Sequence, residues 1–515
     1  LSKQNNSQTA GPHTILGHPD SLFVLFFTEM WERFSYYGMR ALLVLFLIST
    51  ASKGGWGWSR EEATTLYGWY TMLVYFTPIL GGYLADRYLG TRRAVVLGGF
   101  IIAAGHVSLF LDTVTTFYTG LGLVIAGTGL FKPNISAIVG QLYNKDNEGG
   151  RDGGYTLFYM GVNAGAFFGI SLCGYIGEKI SWNLGFGLAG VFMILGALQF
   201  YFGQGIFGDI GTAPKQGEQS AADKAQADEA PAHVVRDRLI AIGVFSFFTI
   251  FFWFAFEQAG GSMTIFAADY TDRALIGTGG FIFKVVNSLM TLVPVAILSW
   301  LLMQLMRGTA KRYLLSNLLL VAALAMIWGL ALWMLGREFA LEQSEVPATW
   351  FGVLNSFFLV ILAPYFSKMW ERHWNPSGPV KFGVGLVLLG LGFAALSYGA
   401  MGIPAGAKTA QVSMLYLCLA YLLHTMGELC LSPVGLSYIS KLAPARLLGL
   451  MFGIWFLNAG IANKLAGFTG SYIDKISESY SLAVFFLIFT IIPIAAGLVL
   501  MSMNKWMQKK MHGVH

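Results

Sequence analysis

Twelve consecutive residues, Glu29-Met-Trp-Glu-Arg-Phe-Ser-Tyr-Tyr-Gly-Met-Arg40, place two carboxylates and two guanidinium groups inside an otherwise apolar run, residues 22–49. At about 100° per residue, Glu29, Glu32, Arg33, Tyr36 and Arg40 share roughly 100° of a helix surface. A run of this length spans a bilayer as a helix, where each ionisable group costs roughly 2.5–3.5 kcal/mol at mid-membrane depth. The stripe must therefore face partners or a water-filled cavity. An i,i+4 pair of Glu29 with Arg33 uses two of the four charges. The others exceed what one helix contact needs, and suit the binding or movement of charged species.

Other ionisable and polar groups line up in depth with this stripe. With about 1.5 Å of rise per residue, Glu29 and Glu32 lie ~10–15 Å from the cytoplasmic end of their helix, Lys132 ~10 Å and Asn163 ~15 Å. Tyr36 and Tyr70 fall nearer the middle, as does Glu428, and Arg40 and Glu257 match in the outer half. Arg33, Arg40 and Lys132 belong to the first half of the chain, Glu257 and Glu428 to the second. A ligand with one anionic and one cationic end could bridge the halves. A pair of Arg40 with Glu257 reads either as a static brace or as a gate that breaks when the halves separate there. Lys132-Pro133 and Ser432-Pro433 loosen the backbone ladder beside these charges. The loop Gly81–Arg93, with Asp86 and Arg87, reads as turn chemistry and topology or as a latch between helices. His106, His424 and Trp455 sit in apolar helices, where packing is the default role; His424 could also hydrogen-bond Glu428 four residues on.

The elements that position these groups are membrane spans. The 515 residues are 55% apolar and 12% charged, against ~25% charged in a soluble domain. Fourteen spans are expected at about 22–49, 62–85, 93–111, 114–139, 153–177, 183–207, 238–268, 280–306, 312–335, 348–372, 379–402, 411–441, 446–473 and 481–507. The net charge of +6 resides in alternate loops, which is a topology signal with both termini cytoplasmic rather than a nucleic-acid footprint. The expected organisation is a cytoplasmic segment 1–21, a six-helix bundle 22–207, a polar linker 208–237 with some helix at 221–230, a second bundle 238–507 containing an extra pair at about 280–335, and a tail 508–515. The polar segment 1–20 lacks the apolar core of a cleavable signal. Cys173, Cys418 and Cys430 have no metal-like spacing, so neither a disulfide framework nor a metal site is expected. No HExxH, Ser/His/Asp grouping or Gly-rich phosphate loop supports an enzyme.

Several separated motifs resemble the proton-coupled oligopeptide transporter (POT/PTR) family of the major facilitator superfamily. They are Glu29-x-x-Glu-Arg-Phe-x-Tyr-Tyr-Gly38, Gly82–Arg93, Gly129-Leu-Phe-Lys-Pro-Asn134, Phe158-Tyr-Met-Gly-Val-Asn-Ala-Gly165, Phe256-Glu-Gln258 and Gly427-Glu-Leu-Cys-Leu-Ser-Pro433. The resemblance implies two six-helix bundles with alternating access, here with two added spans, importing di- and tripeptides with protons. It implies proton coupling by Glu29, Glu32, Arg33, Lys132 and Glu257. Peptide contacts fall on Tyr36, Arg40, Tyr70, Lys132, Asn163, Glu257, Glu428 and Trp455, and gating on Arg40 with Glu257 and on Asp86 with Arg87. It further implies a multi-pass protein of the bacterial inner membrane with no cofactor beyond the coupling proton. Its partners would be peptide, proton and lipid, with no nucleic acid and no obligate protein partner. Three departures accompany the likeness. Phe256 precedes Glu257 where some bacterial members have a second acid. Gly68 occupies the place of the helix-two histidine of animal members. The added pair follows the seventh core helix instead of the sixth. Transport of nitrate or another small anion, and peptide sensing without transport, are the alternatives; Glu29, Glu32 and Glu428 disfavour an anion.

Overall fold

Helices begin where a polar cap meets an apolar run. Ser59 accepts from the Glu62 amide while the Glu62 carboxylate accepts from the Ser59 amide, and Thr113 and Thr116 make the same reciprocal box. The computed structural model describes residues 13–143, 148–212, 231–372, 374–444 and 447–514. The expected helix at 221–230 lies outside them.

In the first half, the helices are α1 (Asp20–Ile48), α2 (Arg60–Leu84), α3 (Thr91–Phe110), α4 (Val114–Gln141), α5 (Glu148–Lys179) and α6 (Trp182–Gly203). There follow α7 (Ala232–Phe256), the short α8 (Ser262–Ile265), α9 (Gly277–Thr309), α10 (Leu314–Ala340), α11 (Val353–Arg372), α12 (Gly378–Gly399), α13 (Leu415–Leu442), α14 (Leu448–Gly470), α15 (Ile473–Ser479), α16 (Leu482–Ser502) and α17 (Asn504–Met511). Among the described residues, eleven spans are long and apolar enough to cross a membrane on length and composition alone. The charged α1, with α2 and α14, has 29, 25 and 23 residues and completes fourteen.

Among the described residues, strand structure is confined to two-residue pairings in loops: β1 (Thr14–Ile15) with β2 (His18–Pro19), β3 (Thr271–Asp272) with β6 (Val412–Ser413), and β4 (Ala274–Leu275) with β5 (Ser344–Glu345). The last pair ties the entry of α9 to the exit of α10. Gly308 lies against His13 and Asp20, and Lys510 and His512 pair with Asp237 at 2.7 and 3.0 Å. Both described termini therefore share one end of the bundle, called here the near end.

Within the first half, α1 packs on α5 and α6, α3 on α4 and α6, and α2 on α4. In the second, α12 packs on α13 and α16, and α7 on α14. The halves meet along two seams, α2 against α14 and α5 against α11. Within the first half, α2 and α4 approach at the backbone: Pro133 has no amide to offer the Gly129 carbonyl, and a Cβ on Gly81 would fall 2.0 Å from that oxygen.

Two sequence expectations change. The apolar run 238–268 is not one helix. α7 stops at Phe256, a 3-10 turn covers Glu257–Gly260, and α8 runs into a wide turn at Phe266–Tyr270. Glu257 is thus at the break. The run 481–507 likewise divides into α16 and α17. The added pair, α9 and α10, docks on the first half, although the chain joins it at both ends to the second. Ser316 of α10 donates to the Gln199 carbonyl at 2.9 Å, and Tyr175 of α5 to Glu338 at 2.8 Å.

Candidate functional site

In α1 the predicted stripe is buried as a unit. Arg33 Nε reaches Glu29 at 3.1 Å and also bonds Glu32, and its guanidinium lies 5.2 Å from the Tyr36 ring centre. Glu29 Oε2, Glu32 Oε1 and Arg33 Nη2 are buried with no hydrogen-bond partner among the described residues. Buried polar groups of native proteins are normally paired, so this cluster retains bonding capacity for a proton, water or ligand. Lys132 of α4 stands close enough to feel the charges of Glu29, Glu32 and Arg33. Its ammonium lies 4.5 Å from the Tyr75 ring centre and has no ion pair among the described residues.

Two turns along α1, Arg40 pairs with Glu257 across the halves and donates from Nε to the Tyr67 hydroxyl at 2.6 Å. The depth match drawn from sequence therefore corresponds to a direct contact. Beside it is a central cavity of about 220 Å³. Tyr37, Arg40, Tyr75 and Asn163 line it from the first half, and Trp253, Glu257, Asn355 and Glu428 from the second. Asn355 donates to Glu428 Oε2 at 2.9 Å and to Thr425 at 3.1 Å, which fixes that carboxylate's orientation. The Arg40–Glu257 pair and the Glu428 carboxylate thus line one small space with aromatic walls.

Of the expected peptide contacts, Arg40, Asn163, Glu257 and Glu428 line this cavity; Tyr36, Tyr70, Lys132 and Trp455 do not. Tyr36 and Tyr70 stack on each other 6.4 Å apart, with hydroxyls buried and unpartnered among the described residues. Trp455 packs on Phe382 and covers Gly435, where a Cβ would fall 2.2 Å from the indole. His424 does line the cavity, but its ring lies on Phe393 at 4.6 Å and makes no hydrogen bond to Glu428 among the described residues. Arg87 donates to Tyr83 at 2.8 Å, within its own turn, and Asp86 has no ion pair among the described residues. The loop is held to the first half by Arg92, which donates to the Gln204 carbonyl at 3.1 Å.

At the far end, a group of ion pairs that sequence did not reveal joins the halves. Arg60 of α2 bonds Asp269 at 2.5 Å, Asp474 at 2.8 Å and the Tyr270 hydroxyl at 2.9 Å. Lys179 of α5 bonds Glu345 at 2.6 Å, and Arg273 reaches the same carboxylate at 3.0 Å. With Arg40–Glu257 beneath them, these pairs close the far end over the cavity.

A family model described as the POT family matches residues 92–225 and 334–492. The chain is 34% identical to the uncharacterized transporter YclF of Bacillus subtilis (strain 168), over 97% of this chain and 96% of that protein. It is 33% identical to the peptide transporter YePEPT of Yersinia enterocolitica, over 91% of each, and 32% identical to a di-/tripeptide transporter of Lactococcus lactis, over 97% and 98%. The chain belongs to the POT family.

Solved POT structures share the fold. A peptide transporter POT in complex with sulfate superposes with a TM-score of 0.75 at 29% identity, over 98% of each chain. A POT family transporter in complex with a thioalcohol conjugated peptide superposes with a TM-score of 0.76 at 25% identity, over 96% and 98%. The fold is the all-α major facilitator arrangement with two added spans, in a multi-pass membrane protein. The POT match leaves out residues 226–333, which hold α7, α9 and most of α10. Beyond the residues expected of a POT chain, Tyr37, Tyr75 and Asn355 line the cavity. A cavity-facing tyrosine on α2 was foreseeable. Which one it would be depended on helix rotation, and Tyr75 lies five residues from Tyr70.

Proposed function

We propose that this protein is a symporter that imports di- and tripeptides with protons by alternating access. Its cavity carries the reading: Arg40 of the first half, paired with Glu257 of the second, lines it together with the Asn355-oriented Glu428. A short peptide is a zwitterion whose carboxylate suits the cations of the first half and whose amino group suits Glu428. Peptide backbones are common to all such substrates, so recognition of the two termini admits varied side chains.

In this reading Glu29, Glu32, Arg33, Lys132 and Glu257 couple transport to protons. Protonation of Glu32 or Glu29 weakens the hold on Arg33, and protonation of Glu257 frees Arg40. Release of Arg40 loosens the far end and provides a cation for the peptide carboxylate. The near end faces the cytoplasm of a bacterial cell and the protein resides in the inner membrane, with 22–207 and 238–507 as the two moving bundles. The names of the related peptide transporters support the substrate class.

The test is uptake of labelled dialanine into proteoliposomes, with and without an imposed inward proton gradient. Concentrative uptake abolished by an ionophore is the expected result. Folded, inserted protein that takes up no dialanine, or takes it up regardless of the gradient, overturns the reading.

A further inference from the structure

Outside the central cavity, an apolar recess of about 590 Å³ lies between α9 and the α5–α11 seam. Its walls include Met160, Leu289, Val293, Ile297, Trp300 and Ile361. All six are exposed, Leu289 at 60%. Apolar side chains exposed over several turns of membrane helices face hydrocarbon, not water. The recess runs from mid-depth, at Asn163 and Ser356, toward the near end, at Leu16 and Leu301.

Charge continues where the apolar surface stops. Arg307 follows Trp300 by seven residues on α9, and Lys368 follows Ile361 by seven on α11. Seven residues are two turns, so each cation extends its wall's groove-facing side by about 10 Å of rise. Both are exposed, and neither forms an ion pair among the described residues. Among the described residues, Arg307 donates to Gln304 at 3.0 Å. Two carboxylates lie near the cations, each with a hydrogen-bond donor of its own: Glu371 accepts from Ser367 at 3.1 Å, and Asp20, beside Gly308, accepts from His13 at 2.7 Å. By helical register, the apolar slot at acyl-chain depth thus extends toward two cations at headgroup depth.

We propose that this groove binds one anionic phospholipid of the near-end leaflet, its acyl chain along α9 and its phosphate between Arg307 and Lys368. Basic pockets between spans at a membrane surface recognise anionic headgroups in this way. A peptide side chain fits the groove less well. The groove opens to the bilayer, and its polar mouth is at the surface, away from Arg40 and Glu428. Because α5 and α11 belong to different halves, a lipid seated across them binds one conformation better than the other.

The test uses the purified full chain in detergent with phosphatidylglycerol or phosphatidylcholine of the same acyl composition, and counts retained lipid by native mass spectrometry. Retention of one phosphatidylglycerol is expected, favoured over phosphatidylcholine by about tenfold or more, given roughly 1 kcal/mol per basic residue. Arg307→Gln with Lys368→Gln should bring that ratio close to one. Leu289→Trp should reduce retention of both lipids by filling the slot. The charge variants lie on exposed helix ends, and monodisperse elution confirms their folding. Equal retention of the two lipids by the native chain, or an unchanged ratio in the charge variant, overturns the proposal. So does a Leu289→Trp chain that keeps its lipid but loses affinity for bulky apolar dipeptides, which would make the groove a peptide subsite.

Discussion

Gly68 of α2 and Gly467 of α14 cross with no room for a side chain on either: a methyl on Gly467 would fall 2.4 Å from the Gly68 Cα, and one on Gly68 2.8 Å from the Gly467 Cα. The glycines serve close approach across the seam between the halves. They also account for glycine at the position the resemblance gives to a histidine in animal members, since an imidazole cannot fit while the far end is closed. Gly467→Ala should cost the closed far end about 1–3 kcal/mol, roughly a fivefold or larger shift in population. Spin labels at Ser52 and Ala405, exposed on far-end loops of the two halves, report it. A longer-distance population should grow; an unchanged distribution would show that the seam opens without parting these glycines.

Glu32 offers the cleanest separation of coupling from binding. It shares Arg33 with Glu29 but does not line the cavity. Glu32→Gln keeps the shape and removes the exchangeable proton. Gradient-driven uptake of dialanine should disappear while counterflow exchange, which needs no net proton movement, survives. Full gradient-driven uptake by this variant would remove Glu32 from the coupling role.

For Glu428 the readout is affinity. Asn355 already holds one of its oxygens, leaving the other for a peptide amino group. Hydrogen bonds to charged groups contribute about 1.5–3 kcal/mol, so Glu428→Gln should weaken dialanine binding by roughly tenfold or more. N-acetyl-dialanine, which lacks the amino charge, should lose little. Equal losses for both peptides in competition uptake would contradict an amino-group contact.

Charges in apolar runs were the most legible feature of the sequence. The stripe on α1 stood out because ionisable groups are rare at that depth, and simple rise per residue brought Arg40 opposite Glu257. Rotation was harder to read. Adjacent Tyr36 and Tyr37 point about 100° apart, and only Tyr37 lines the cavity. The break at Glu257 was hidden because the run stays apolar through it, and α9 and α10 are apolar on too many faces to show which side docks. The far-end pairs were invisible for another reason. Arg60 at the start of α2, Asp269 in the turn after α8 and Asp474 in α15 lie far apart in the sequence, and only the packed bundles bring them together.

The Lys179–Glu345 pair makes the closed far end sensitive to acid. Burial pushes the Glu345 carboxyl up, but the Lys179 hydrogen bond and the charges of Arg273 and Lys179 outweigh that and hold it below its ordinary 4.5. A carboxylate depressed in this way stabilises the closed end above its ordinary pKa and loses that contribution as pH falls through the lowered value. The pair is half exposed, so the effect is modest, about 0–1 kcal/mol. Taking the pH from 7 to below 4.5 should raise the open population at the Ser52–Ala405 label pair. Glu345→Gln should show a higher open fraction at pH 7 and a shallower rise on acidification. High salt should mimic part of the variant's effect by screening exposed charges. Identical pH profiles for the native and variant chains would mean that this pair does not hold the far end shut.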